Sequence, residues 1–145
     1  MDNKQPCYWQ TECVLTAKPR GFHLITAELQ PALSPMPPLS IGLAHFFLQH
    51  TSASLTISEN TCADVRLDLE TYYNRAIPDD NRLYRHTLEG EDDMPAHIKN
   101  TLLGTELTIP IRQGNLALGQ WQGIYLCEHR TIAPARRILI TVHGI

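Results

Sequence analysis

The chain has 145 residues, with 12 Lys and Arg against 15 Asp and Glu, for a formal net charge of −3. This length suits one domain with a single core, expected to span residues 1–145, and the missing basic excess argues against a nucleic-acid or anionic-membrane partner. No apolar run reaches the roughly 20 residues of a membrane span. The 7 histidines are the unusual feature of the composition.

The first half of the chain is predicted to be rich in strands, because apolar and β-branched residues alternate there. The expected strands cover residues 8–17, 22–29, 41–50 and 55–58. Prolines make residues 31–38 an extended connector, since proline disfavours helix before it and removes a hydrogen-bond donor. A helix is expected next, with Ser58 as its cap, Glu59 near its positive end and Pro78 beyond it.

The second half is predicted to contain one long loop, one helix and four short strands. The polar residues 77–93 form a loop whose length is typical of functional segments. The next helix is expected to begin at Asp93, with Pro95 in its first turn, and to stop at Gly104. The expected strands cover residues 105–111, 115–118, 122–129 and 137–143. The pattern indicates an α+β fold, an antiparallel β-rich sandwich or half-barrel with two helices.

Four cysteines, none in a CxxC pair, are expected to be reduced thiols. Residues 1–10 lack the apolar stretch of a signal peptide, so we expect a cytoplasmic protein. Cys62 and Cys127 are most simply interpreted as small buried apolar residues.

Three polar clusters are candidates for chemistry, and each has a structural alternative. His50, Thr51 and Ser52 end a strand, where they can transfer protons and bind phosphate or simply form a turn. The second cluster runs from His86 to His97 around the start of the second helix and includes Asp92. Its carboxylates also act as helix caps, and its carboxylates and histidines together suit Zn²⁺ or a similar divalent ion.

The third cluster lies along an apolar strand and just beyond its end. On that strand Gln122, Glu128 and Arg130 alternate with Cys127 and His129, which places ionisable groups at the end of both faces. Glu128 and Arg130 suit either an ion pair or a site, and His129 suits either a hydrogen-bonded core histidine or a catalytic group.

These clusters resemble the YjbQ family of small proteins, named as secondary thiamine-phosphate synthase enzymes. The resemblance is carried by the segment HTSASLTISEN at residues 50–60, by the segment 84–97, and most specifically by GNLALGQWQGIYLCEHR at residues 114–130. It implies a sheet-rich α+β domain that forms a homotrimer and condenses hydroxymethylpyrimidine diphosphate with thiazole phosphate. The polar positions within the matching motifs are His50, Thr51, Ser52, Glu59, Asp92, His97, Gln122, Glu128, His129 and Arg130.

The resemblance gathers these residues into one expected site for a small phosphorylated substrate. His50, His97 and His129 are expected around the substrate or as metal ligands, with Glu128 or Asp92 as the orienting carboxylate. Arg130 and the hydroxyls of Thr51 and Ser52 are expected to bind phosphate oxygens, with Glu59 and Gln122 as further substrate contacts. Departure of a diphosphate favours Mg²⁺ or Zn²⁺ as a cofactor.

Two other functions stay open at this point. Three histidines beside carboxylates suit a metal-dependent hydrolase of a phosphorylated or acylated metabolite, because a metal-bound water would be the nucleophile. A non-catalytic trimer that binds a small molecule is the third interpretation.

Overall fold

Eight strands and three helices form the chain in a computed structural model that describes residues 4–145. The strands are β1 Cys7–Val14, β2 Gly21–Leu24, β3 Ile41–Leu48, β4 Ala53–Glu59, β5 Glu106–Arg112, β6 Asn115–Leu116, β7 Gln122–Glu128 and β8 Arg137–Gly144. The helices are α1 Thr26–Leu33, α2 Ala63–Ala76 and α3 Asp93–Leu103. Residues 1–3 lie outside the described residues. They are part of the predicted domain and of residues 1–10, for which no signal peptide is expected.

The strands form two antiparallel sheets, which confirms the predicted α+β fold. The first sheet has the order β1-β8-β3-β5-β6 and curls into a half-barrel, and the second has the order β2-β7-β4. The main core lies between them, where alternate residues of facing strands such as Phe46, Ile140 and Leu126 are fully buried. Burial of such apolar side chains is the main source of stability.

Strand β7 lies in the middle of the second sheet and is covered on both faces. Ile124 and Leu126 belong to the main core, whereas Tyr125 and Cys127 form a smaller core on the opposite face. Side chains of α2 and α3, such as Leu69, pack against this smaller core. The predicted alternation of β7 and the buried state of Cys127 are therefore confirmed.

Helix α1 was not predicted, and the strand expected over residues 22–29 ends at Leu24. Leu29 and Leu33 are four residues apart and both are buried on one face of α1. This packing outweighs the cost of Pro31, which lies inside the helix and cannot donate a backbone hydrogen bond. The proline-rich connector is correspondingly shorter than expected.

The boundary between β4 and α2 also differs from the prediction. Strand pairing with β7 continues to Glu59, so Ser58 is a strand residue and does not cap the helix. Glu59 instead accepts hydrogen bonds from the backbone N–H groups of Thr61 and Cys62, just before α2 begins. Cys62 is exposed, contrary to expectation, because it precedes the first turn of a helix without fully buried residues.

Helix α3 begins at Asp93 and ends before Gly104, as predicted. Pro95 in the first turn costs no intrahelical hydrogen bond, and Gly104 adopts a φ of 92° that favours glycine. All four cysteines are free thiols, in agreement with the sequence interpretation. Among residues 4–145, no helix has the length and apolar character needed to cross a membrane.

Candidate functional site

Strand pairing brings two of the three predicted clusters together. In the antiparallel register of β4 and β7, Ala53 lies opposite Glu128, so the start of β4 and the end of β7 share one edge of the sheet. Helix α3 joins this edge through Asn100, whose side-chain amide donates to the carbonyl oxygens of His50 and Ala53. The segments 50–54 and 128–130 and the start of α3 therefore form one polar region, which we call the β4–β7 edge.

A buried ion pair lies at the centre of this edge. Arg136 donates from Nε and Nη2 to the two carboxylate oxygens of Glu128, at 2.7 and 2.6 Å, and both side chains are almost fully buried. The same guanidinium donates to the Ser52 hydroxyl at 3.0 Å and to its carbonyl oxygen. Glu128 and Ser52 are thus held by Arg136, which gives them a positioning role.

His129 lies next to this pair in the protein interior. Its Nε2 atom is 2.9 Å from the Ser54 hydroxyl oxygen, and the residue is only 2% exposed. Burial lowers the pKa of His129 to about 3, with help from the positive charges of Lys99, Arg20 and Arg136. The ring is therefore neutral at physiological pH and is enclosed by the fold.

His50, at the start of segment 50–54, is held by a contact with the protein backbone. Its Nε2 atom accepts the backbone N–H of Arg137 at 2.8 Å, so the hydrogen of the neutral ring is on Nδ1. Burial lowers the pKa of His50, and the charge of Arg136 adds to this effect. Because the Nε2 lone pair is used by a backbone donor, that atom does not suit a metal ligand.

Arg130 lies between two aspartates at the start of α3. It donates from Nε to Asp92 at 3.1 Å, from Nη1 to Asp93 and from Nη2 to the Glu89 carbonyl oxygen at 2.8 Å. Asp92 also accepts the backbone N–H of Thr131 at 2.8 Å. Burial acts to raise the pKa of Asp92, but these hydrogen bonds and the Arg130 charge hold it below its usual value. Arg130 is thus engaged with carboxylates, not free for a phosphate.

The third predicted histidine, His97, belongs to a different cluster from His50 and His129. Asp93 Oδ2 lies 2.7 Å from His86 Nε2 and 3.0 Å from His97 Nε2. His97 Nδ1 donates to the Thr51 carbonyl oxygen at 2.7 Å, which ties this cluster to the β4–β7 edge. Among the described residues, His86, Asp93 and His97 are the one group of His, Cys, Asp and Glu side chains with metal-ligand spacing.

Two predicted substrate contacts lie far from this edge. Glu59 and Gln122 are opposite each other at the other end of the β4–β7 ladder, six residues from the Ala53–Glu128 pair, or roughly 20 Å at 3.3 Å per residue. Glu59 accepts the N–H groups that precede α2, and Gln122 accepts the Gly119 N–H. Both residues therefore organise local turns, and the structure separates them from the predicted site.

Sequence reasoning missed Arg136 and gave His86 and Asp93 no specific role in the site. Arg136 follows Glu128 by eight positions across a loop, and no local pattern links the two. The sequence places His86 and Asp93 in the second cluster, but it predicts for Asp93 only the structural role of a carboxylate at a helix start. The four-residue spacing of Asp93 and His97, which places both on one face of α3, was the available signal.

The edge divides into buried and solvent-facing parts with different chemical abilities. The buried parts, the Glu128–Arg136 pair and the His129–Ser54 contact, fix the chain and exclude water. The solvent-facing parts are Thr51 and the side chain of His97, which is 31% exposed, and beside them lies the side chain of His86 in the loop before α3, which is 48% exposed. A substrate or ion can therefore reach His86 and His97 without rearrangement of the core.

Comparisons with known proteins agree with this architecture. The family described as UPF0047 protein YjbQ-like matches residues 11–145. UPF0047 protein YjbQ of Salmonella typhimurium is 50% identical over 137 residues, which cover 94% of this chain and 99% of the relative. UPF0047 protein sll1880 of a Synechocystis species is 41% identical over 131 residues, 90% of this chain and 88% of that protein.

Solved structures show the same fold. A YbjQ-like protein of unknown function from Sulfolobus solfataricus superposes with a TM-score of 0.85, over 97% of this chain and 100% of that one, at 22% identity. An uncharacterised member of the yjbq/upf0047 family from Clostridium acetobutylicum superposes with a TM-score of 0.75, over 90% and 96% of the two chains, at 33% identity.

Proposed function

Because the chain belongs to the UPF0047 YjbQ-like family, we propose that it is a transferase with thiamine-phosphate synthase activity. It joins hydroxymethylpyrimidine diphosphate to thiazole phosphate. The bond from the pyrimidine methylene carbon to the diphosphate oxygen breaks, and its electron pair leaves with pyrophosphate. The thiazole nitrogen then forms the new carbon–nitrogen bond with its own lone pair.

The convergence of predicted polar residues at the β4–β7 edge is the observation that carries this proposal. Thr51 and His97 are the solvent-facing members, and they contact each other through the Thr51 carbonyl oxygen. In the proposed reaction they contact the substrate, whereas Glu128, His129 and the Arg136 guanidinium hold the edge in place. A departing diphosphate needs cationic neutralisation, for which we propose a divalent ion, Zn²⁺ or Mg²⁺.

The direct test is incubation of the purified protein with both precursors and chromatographic detection of thiamine phosphate. We expect product above a mock preparation, and loss of product in His129→Ala and in His97→Gln. His97→Gln is the sharper variant because His97 is partly exposed and its replacement spares the core. His23→Gln, whose ring contacts the Pro19 carbonyl oxygen elsewhere on the second sheet, is the matched control. Product formation that matches the mock sample, or that survives in His97→Gln, contradicts the proposal.

A metal-dependent hydrolase is the second candidate, favoured by the two accessible imidazoles beside Asp93. These two imidazoles and the Asp93 carboxylate would hold a metal ion, which would supply an activated water for hydrolysis of a phosphoryl or acyl group. Release of inorganic phosphate from simple phosphate monoesters, dependent on added Zn²⁺ and absent in His86→Gln, would favour this function over transfer. Tight retention of a small molecule with no turnover would instead favour a non-catalytic binding protein.

We also propose that the protein works as a homotrimer in the cytoplasm, on a small phosphorylated metabolite. The outer face of the first sheet supports self-association, because Tyr8 and Val14 on β1 and Ile41 and Phe47 on β3, the two strands that flank β8, are exposed. The free thiols are compatible with a reducing compartment. Light scattering of the purified protein should give three chains per particle, and Phe47→Lys should reduce that number.

A further inference from the structure

We propose that His86, Asp93 and His97 bind one transition-metal ion of the Zn²⁺ class, with coordination positions left open to solvent. The site lies where the loop before α3 meets the first turn of that helix. It replaces the ligand set expected from the sequence, because His50 and His129 use their Nε2 atoms in other contacts. The proposal concerns metal binding alone and does not depend on which reaction the protein catalyses.

The three donor atoms are already gathered. His86 Nε2, Asp93 Oδ2 and His97 Nε2 lie within 4.8 Å of one another. Ligands bound to one Zn²⁺ at about 2.0–2.2 Å are separated by comparable distances, so only small side-chain rotations are needed. Asp93 and His97 are one helical turn apart, and His86 approaches from the loop.

The hydrogen bond of His97 orients its ring for coordination. The Thr51 carbonyl oxygen can only accept, so His97 Nδ1 carries a hydrogen and the neutral ring directs the Nε2 lone pair towards Asp93. Two facing acceptor atoms, Nε2 and the carboxylate oxygen, repel unless a proton or a metal ion lies between them. Metal-bound histidines typically have this arrangement, with the second ring nitrogen donating to a backbone carbonyl.

Arg130 provides the corresponding outer contact for Asp93. It binds the second carboxylate oxygen, Oδ1, and leaves Oδ2 directed at the two imidazoles. The same guanidinium binds the Glu89 carbonyl oxygen, which fixes the loop that carries His86. At the other end of this loop, Arg20 binds Asp79 through two nitrogens. The histidine from the loop is therefore held against the helix before any ion binds.

The donor set selects the class of ion. Two imidazole nitrogens and one carboxylate oxygen suit Zn²⁺, Co²⁺ or Ni²⁺, whereas Mg²⁺ and Ca²⁺ prefer sites made of oxygen ligands alone. Three protein ligands leave at least one position of a tetrahedral ion for water or an anionic oxygen. The exposed fractions of His86 and His97 place that position towards solvent.

Equilibrium dialysis of the chelator-treated full chain against Zn²⁺, followed by elemental analysis, tests the site. We expect one ion per chain, and visible absorption bands of a low-coordinate ion when Co²⁺ replaces Zn²⁺. Loss of an outer contact weakens metal sites by about 10–100-fold, so His86→Gln and His97→Gln should weaken binding by more than that. His23→Gln should bind as the parent does, and circular dichroism should show that all variants are folded.

Two results would overturn the metal site. One is binding below one ion per chain in the parent protein at saturating Zn²⁺. The other is equal binding by folded His86→Gln, His97→Gln and His23→Gln proteins, which would mean adventitious surface binding. Either result would remove the proposed divalent ion from the transfer reaction but not the reaction itself, which is tested by product formation, and a bound ion without product would leave the metal site intact.

Discussion

Burial of a neutral histidine makes the stability of this protein depend on pH in a predictable direction. His129 has a pKa of about 3 in the folded chain, because burial and the charges of Lys99, Arg20 and Arg136 oppose its protonation. In the unfolded chain the pKa returns to about 6.5. Between these values the unfolded chain binds more protons, so the free energy of unfolding falls as the pH falls.

The size of this effect follows from the two pKa values. Well above pH 6.5 the ring is neutral in both states, and its protonation takes nothing from the free energy of unfolding. Below pH 6 each pH unit costs about 1.4 kcal/mol, so His129 alone removes about 2 kcal/mol between pH 7.5 and pH 5. This is a large share of the 5–15 kcal/mol that is typical of a domain.

Urea unfolding at several pH values between 5 and 8 measures this contribution. We expect the parent to lose about 2 kcal/mol more than His129→Gln over this range, because the variant lacks the titrating ring. His50 and the carboxylates also contribute to the pH dependence, but they are present in both proteins and cancel in the difference. His23→Gln should retain the pH dependence of the parent.

Parallel curves for the parent and His129→Gln would refute the reasoning. They would mean that the ring is protonated in the folded protein or that water reaches it, against its burial beside Ser54. Histidine NMR provides an independent check, since the His129 ring signals should not titrate between pH 8 and pH 5. A steeper curve for the variant would refute the sign of the effect.

Further predictions concern the ion pair, the distant end of the ladder and the loop before α3. Glu128→Gln should lower the free energy of unfolding by about 3–5 kcal/mol in urea titrations, because it leaves the Arg136 charge buried without its partner. Glu59→Gln and Gln122→Ala should leave the formation of thiamine phosphate unchanged in the chromatographic assay, because both lie at the far end of β4 and β7. Gly90→Ala should weaken Zn²⁺ binding in dialysis, because its φ of 110° strains any residue with a Cβ and the loop carrying His86 would shift.

Local signals explain the elements that the sequence predicted well. Helix α3 has a proline in its first turn and a glycine at its end, and these residues favour the start and the end of a helix at their own positions in the sequence. Strand β7 has alternating side chains that are buried on both faces, so its pattern could be interpreted without knowing its neighbours. Such features need no information about distant contacts.

Helix α1 was missed because two local signals conflict. Ile25, Leu29 and Leu33 are four residues apart, as in a helix with one buried face, and all three are buried. Pro31 argues against a helix, and prolines follow soon after. The long-range packing of the leucines against the main core decides the outcome, and no window of sequence contains that contact.

The site was predicted at the level of segments but not of atoms. The antiparallel pairing of β4 and β7 brings the segments around His50 and His129 together, as expected from their places at strand ends. Which ring nitrogens remain free depends on backbone donors from Arg137 and on the Ser54 hydroxyl. These contacts arise from parts of the chain more than 70 residues apart, so His50 and His129 could not be distinguished from His86 by pattern.

The charges of the edge connect the proposed reaction to the proposed metal. Three carboxylates, Asp92, Asp93 and Glu128, face two guanidinium groups, Arg130 and Arg136. With neutral histidines these five side chains carry one excess negative charge, which favours a cation beside Asp93. A divalent ion at Asp93 would reverse that sign and provide the Lewis acid that a departing pyrophosphate requires. If the transfer reaction occurs at this edge, it should therefore depend on the ion, and strong chelation should abolish product formation while the fold survives.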